Sequence, residues 1–156
     1  MHIGLPLLAR IPFAAKCLSL LRRALVAVCA LSFSTVLVQD TFIFPLAGTD
    51  LGSPPPSGIE ALSLSSADGS TVLVWRLRAK TQKPRAALLL HGNGTTVSGT
   101  QVIQEWLAGL GISTYSMEYR GYRGLGSGWP SERGLYEDAQ ATFTAMLRDE
   151  GITAAE

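Results

Sequence analysis

Cysteine and histidine are scarce in this chain, two of each among 156 residues. Both cysteines, Cys17 and Cys29, fall in the apolar N-terminal stretch, so the remainder has neither a disulfide framework nor a cysteine metal cluster. Apart from His2 at the extreme N-terminus, His91 is the sole histidine. Charge is thin as well, 16% of residues against 47% hydrophobic, which is globular rather than disordered composition. The net charge is +1; four of the thirteen basic and one of the twelve acidic residues precede residue 45, leaving nine against eleven beyond it. That balance lacks the basic footprint of a nucleic-acid-binding domain. The length has room for one domain and an anchor.

What is present first is a membrane-compatible N-terminus. Arg10, Lys16, Arg22 and Arg23 precede "ALVAVCALSFSTVLV", and apolar character resumes in "TFIF" after Gln39 and Asp40. A helix over residues 24–44 is roughly 31 Å long at ~1.5 Å per residue, which matches a bilayer core of ~30 Å. Asp40 would fall in its last turn, near the headgroups. The basic flank predicts a cytoplasmic N-terminus and a domain on the outer side. The alternative is a cleaved signal, with residues 24–31 as its apolar region and "SFS" as the cleavage site, giving a secreted or periplasmic domain.

Residues 1–44 therefore read as basic segment and anchor or signal, 45–58 ("PLAGTDLGSPPPSG") as linker, and 59–156 as a domain. Residues 59–79 alternate apolar and polar around "ADGS", the pattern of a β-hairpin. After a turn at "TQKP", "RAALLL" is apolar on both faces, like a central strand of a parallel sheet. Val102 or Ile103, Trp106, Leu107 and Leu110 then fall at helical spacing, and Gly111 stands where a C-cap would be. "ISTYSMEY" reads as a strand and "RGYRGLGSGWPS" as a loop. Pro130 and Ser131 introduce a helix in which Leu135, Ala139, Phe143, Met146 and Leu147 share one face, ended by Gly151. Hairpin followed by βαβα predicts an α/β fold, a parallel sheet entered through antiparallel strands.

"HGNGTT" lies where a strand breaks into glycines before a helix, a layout that holds anions with backbone amides. A nucleotide is excluded by the residues present. Gly94 and Gly99 have P-loop spacing, but Thr100 and Gln101 stand where Lys and Ser or Thr are needed. The dinucleotide pattern would need glycine at Val97 after Gly92 and Gly94, or at Trp129 after Gly124 and Gly126. The remaining anion is the oxyanion of a tetrahedral intermediate, for which prearranged backbone donors are worth ~10² to 10³ in kcat.

"LLLHGNGTT" followed by "MEYRGYRGLGSGWPSERGLYEDAQA" resembles the N-terminal half of a serine α/β-hydrolase of the Bem46 and ABHD13-like group. Members of that group read HGN, then DYRGYG, then PSE, GLY and DA in order. The resemblance covers residues 59–156 and implies an α/β-hydrolase fold in which the Asn93 N–H is an oxyanion donor. His91, Gly92 and Gly94 would shape the turn, with Tyr119, Arg120 and Gly121 at the active-site mouth; a local ion pair is the structural reading of Arg120. It implies acyl transfer on an ester, thioester or amide, with a small-molecule acyl substrate, a membrane for the anchor, and no nucleotide, metal or other cofactor. Two departures stand out: the "RGLGSGWPS" loop is one residue longer, and Glu118 replaces the usual Asp.

The nucleophile elbow Gly-x-Ser-x-Gly does not occur; "GLGSG" has the letters without the spacing. His91 is not the base, which in this fold comes late in the chain, so nucleophile, acid and base have no residue here. The expectation is a fragment of a membrane-anchored serine hydrolase, inactive by itself, whose "RAALLL" strand is left as an exposed apolar edge. The alternatives are a non-catalytic membrane-tethered α/β module, or the same fold with an Asp nucleophile.

Overall fold

The computed structural model describes residues 11–49, 52–83, 85–124 and 128–153. Arg10 of the basic flank, Pro84 of the predicted turn and residues 125–127 of the long loop lie outside them. The chain divides into two compact units, residues 1–39 and 40–156.

The first unit is helical. Helix α1 (Ile11–Ile43) continues into the second unit and starts well before the predicted residue 24. Pro12 lies in the first turn, where its missing N–H is tolerated, and the Lys, Arg, Leu and Ala that follow are good helix formers. Residues 15–43 are long and apolar enough to cross a membrane, with mean hydropathy 1.7.

The second unit is a four-stranded sheet with a helix on each face. Strands β1 (Glu60–Ser65) and β2 (Thr71–Leu77) form the antiparallel hairpin. Its turn needs a positive φ at Gly69 (84°), and the Asp68 carboxylate accepts the Ser70 N–H at 2.9 Å. Strand β3 (Ala86–Leu90) leads through a 3₁₀ turn (Val97–Thr100) into helix α2 (Gln101–Gly109), then β4 (Ser113–Met117) and helix α3 (Glu132–Glu150). The sheet order is β1-β2-β4-β3, with β4 antiparallel to β2 and parallel to β3. All five β4 residues are buried.

Strand β3 is an edge strand among the described residues: Ala86 to Leu89 are half-buried and Leu90 is 56% exposed. No charge or proline within it blunts the edge.

Helix α3 carries the predicted face. Leu135, Ala139, Phe143, Met146 and Leu147 pack on Val72, Val74, Tyr115 and Met117. Ser131 caps it by accepting the Gly134 N–H at 3.2 Å, and Gly151 closes it in the left-handed conformation.

Helix α2 forms over the residues with helical spacing, and the structure adds which of its sides faces inward. Most of its apolar stripe faces solvent: Val102 is 75% exposed, Ile103 52%, Trp106 64% and Leu110 51%, while Leu107 is half-buried. The fully buried residue is Gln104, which donates to the Trp75 carbonyl at 3.0 Å and to Thr114 Oγ1 at 3.2 Å. The physical reason is the sheet beneath it. Thr114 and Ser116 point to that face, and Thr100 Oγ1 donates to Ser116 Oγ at 2.8 Å, so the inward helix side must satisfy hydroxyls. The C-terminus is a Schellman motif, Ile112 N–H to the Leu107 carbonyl and Gly111 N–H to that of Ala108, both 3.0 Å, with Gly111 at φ 79°.

Candidate active site

The segment after β3 is held by groups from several places. His91 ends the strand with its side chain fully buried, while Gly92, Asn93 and Gly94 reach the surface. The Gly92 carbonyl accepts from His91 Nδ1 at 2.9 Å and from the Thr95 N–H at 3.2 Å. From beyond β4, the Tyr119 hydroxyl donates to the His91 carbonyl and the Tyr122 hydroxyl to the Asn93 carbonyl, the latter at 2.8 Å. Asn93 Nδ2 donates to the Ile43 carbonyl at 2.9 Å.

In a trans peptide, a carbonyl and the N–H that follows it point in opposite directions. Anchoring the carbonyls of His91, Gly92 and Asn93 therefore turns the N–H groups of Gly92, Asn93 and Gly94 away from the anchors. Among the described residues none of these N–H groups donates a hydrogen bond within the chain. Successive outward N–H groups in a turn are an arrangement that can bind an anion.

Behind the turn lies a buried polar cluster. Glu118, next after β4, has its side chain fully buried; its Oε1 is 2.8 Å from His91 Nε2, off the line of a good hydrogen bond. Its Oε2 accepts the Val97 N–H at 3.1 Å and its Oε1 the Tyr119 N–H at 3.3 Å, while Arg123 Nε stands 4.0 Å away. One carboxylate thus ties together the turn, the 3₁₀ segment and the loop after β4. The rings of His91 and Tyr119 lie 4.0 Å apart, and Tyr122 closes the cluster at 5.7 Å from His91. Burial pushes the Tyr119 phenol up, and the Glu118 charge adds to it. Tyr122 is pushed up the same way, chiefly by burial.

Arg123 has φ 57°, the one non-glycine residue among those described with a positive φ. Such a backbone costs about 1–3 kcal/mol and persists where the surroundings over-determine it. Here the guanidinium lies 5.5 Å from the Trp75 ring centre and donates to the Ser53 carbonyl.

The three residues predicted at the mouth separate. Tyr119 reaches the turn, as above. Arg120 is committed elsewhere: Nε and Nη2 grip Asp138 at 2.9 and 2.6 Å, and Nη1 holds Asp68 at 2.6 Å. Asp138 and then Asp68 hold this guanidinium above its ordinary value, against the burial that lowers it. The Ser70 N–H and Arg120 bring the Asp68 carboxyl down to about 2. Gly121 has φ 76°, its carbonyl accepts the Gly48 N–H at 2.7 Å, and a Cβ there would lie 2.6 Å from the Gly128 carbonyl oxygen.

Sequence reasoning assigned no role to Tyr122 and treated Glu118 only as a departure. The available signal was a carboxylate at the end of a predicted strand, a position at which a buried charge needs partners.

No family profile matches the chain. Over 69 residues, 44% of the chain, it is 36% identical to a multifunctional-autoprocessing repeats-in-toxin protein of Vibrio cholerae, and equally to one of Vibrio vulnificus. The chain spans 2% and 1% of those toxins' lengths. Among solved structures it is similar to an alpha-beta hydrolase from Vibrio vulnificus, with TM-score 0.59 and 21% identity, over 73% of this chain and 42% of that one. It is also similar to the esterase Pf2001 of Pyrococcus furiosus, with TM-score 0.50 and 15% identity, over 64% and 39%. The fold of the second unit is that of the α/β-hydrolases, and the chain spans less than half the length of these structures.

Proposed function

We propose that the chain is the front part of a membrane-anchored serine hydrolase of the Bem46 and ABHD13-like group, carrying the oxyanion turn while residues outside it supply nucleophile, acid and base. The observation that carries this reading is the set of anchored carbonyls at residues 91–93, which aims the Asn93 N–H outward with no partner among the described residues. A donor prearranged in this way needs no reorganisation as charge develops on a carbonyl oxygen. The substrate class is an ester, thioester or amide; no metal or nucleotide enters the chemistry. Helix α1 serves as the anchor, with the N-terminus cytoplasmic and the hydrolase unit on the outer side.

The open edge of β3 and the apolar stripe of α2 fit a sheet that continues past β3. They equally fit a non-catalytic tethered module that binds a partner there. Fluorophosphonate labelling separates the two. A natural product of the gene longer than this chain is expected to label, and to lose labelling when Asn93 is replaced by Pro, which has no N–H. The 156-residue chain is expected not to label. Absence of labelling in every natural form favours the module.

A further inference from the structure

We propose that His91 is held as an imidazolium against the Glu118 carboxylate, a buried pair that positions the Gly92 peptide and thereby the Asn93 N–H. The positioning role rests on the HGNG segment being an oxyanion turn; the proton inventory does not.

That inventory follows from the contacts of the ring. His91 Nδ1 faces the Gly92 carbonyl at 2.9 Å, and a carbonyl only accepts, so Nδ1 carries a hydrogen. In a neutral ring Nε2 would then bear a lone pair. It would meet Glu118 Oε1 at 2.8 Å with both side chains fully buried, two electron-rich atoms without water between them. A proton on one of the two removes the repulsion. Glu118 is the partner better suited to remain charged: its oxygens accept the Val97 and Tyr119 N–H groups, and Arg123 stands 4.0 Å off. Donors of this kind favour the carboxylate form. The proton therefore sits on His91 Nε2, and the contact is an ion pair whose off-line geometry makes it mainly electrostatic.

The consequence for the turn is directional. An imidazolium Nδ1–H is a charge-assisted donor, stronger than a neutral one. It draws the Gly92 carbonyl inward, and the same rigid peptide carries the Asn93 N–H outward. Removing the carboxylate takes away the counter-charge that keeps the ring protonated in a buried place.

The test is ring and backbone NMR on the ¹⁵N-labelled full chain in detergent micelles, with H2Q assigning the His91 signals. The wild-type chain is expected to show N–H correlations at both His91 ring nitrogens. Glu118→Gln is expected to lose the Nε2–H correlation, keep that at Nδ1, and move the Asn93 amide resonance while the Ser70 amide in the distant hairpin turn stays put. Glu118→Asp, which retains a carboxylate, is expected to keep both ring signals. A wild-type spectrum with a single ring N–H overturns the proposal whether or not the variants fold. So does Glu118→Gln with both ring signals intact, or with an unmoved Asn93 amide. No step of the test involves catalysis, so a failed labelling experiment and a failed ion pair remain separate results.

Discussion

Arg120 shows at the scale of one residue how a site-like motif can be structural. Its guanidinium joins the hairpin turn at Asp68 to α3 at Asp138, whose side chain is 1% exposed. Replacing it with Met leaves Asp138 as an unpaired buried charge. Arg120→Met is expected to destabilise the α/β unit by about 3–5 kcal/mol, read as a fall in urea midpoint of the full chain in detergent. The Asp68 arm has a pH signature. With its carboxyl at about 2 in the folded chain against 3.8 for the ordinary group, the folded state binds fewer protons in that interval. Its contribution is thus complete above 3.8 and lost as pH falls through about 2. Asp68→Asn is expected to flatten the dependence of stability on pH across that window, measured by denaturant titration at a series of acid pH values. Gly121→Ala puts a Cβ 2.6 Å from a backbone oxygen at φ 76°, and a loss of roughly 1–3 kcal/mol is expected in the same assay.

At the scale of elements, legibility depended on whether the signal was local. Helix α3 was readable because Ser131, Gly151 and the five-residue apolar face all lie within its own sequence. The orientation of α2 was not, because what selects its inner side is the row of hydroxyls on β4, and no property of residues 101–109 announces a polar sheet face. The hydrophobic spacing was real, yet it marks an outward surface. A contrast between two substitutions tests this. Ile103→Lys is expected to change stability by less than about 0.5 kcal/mol while reducing self-association in sedimentation. Gln104→Leu, which leaves the Trp75 carbonyl and Thr114 without their donor, is expected to cost about 1–3 kcal/mol. Strand β3 was legible as a strand apolar on both faces, the pattern of a central strand, and among the described residues it stands at the edge expected for this chain. Glu118 was legible only as a substitution in a motif. Its partners Val97 and His91 lie 21 and 27 residues away, and only the closing of β3 against β4 brings them together.

At the scale of the whole chain, the α/β unit carries a turn at residues 91–94 whose carbonyls are anchored and whose N–H groups have no partner among the described residues. The motif order HGN, YRG and PSE made the fold readable before any coordinate, because each piece sits at a defined junction of strand and helix. The central claim is that this turn serves a serine nucleophile lying further along the same gene. It is tested most directly by reading the genomic and transcript sequence past the codon for Glu156. The expected result is an open frame that enters an apolar strand and Gly-x-Ser-x-Gly within ~10 to 20 residues, followed by an acid and a late histidine. A stop codon directly after Glu156, or a continuing frame without a nucleophile elbow, would contradict it.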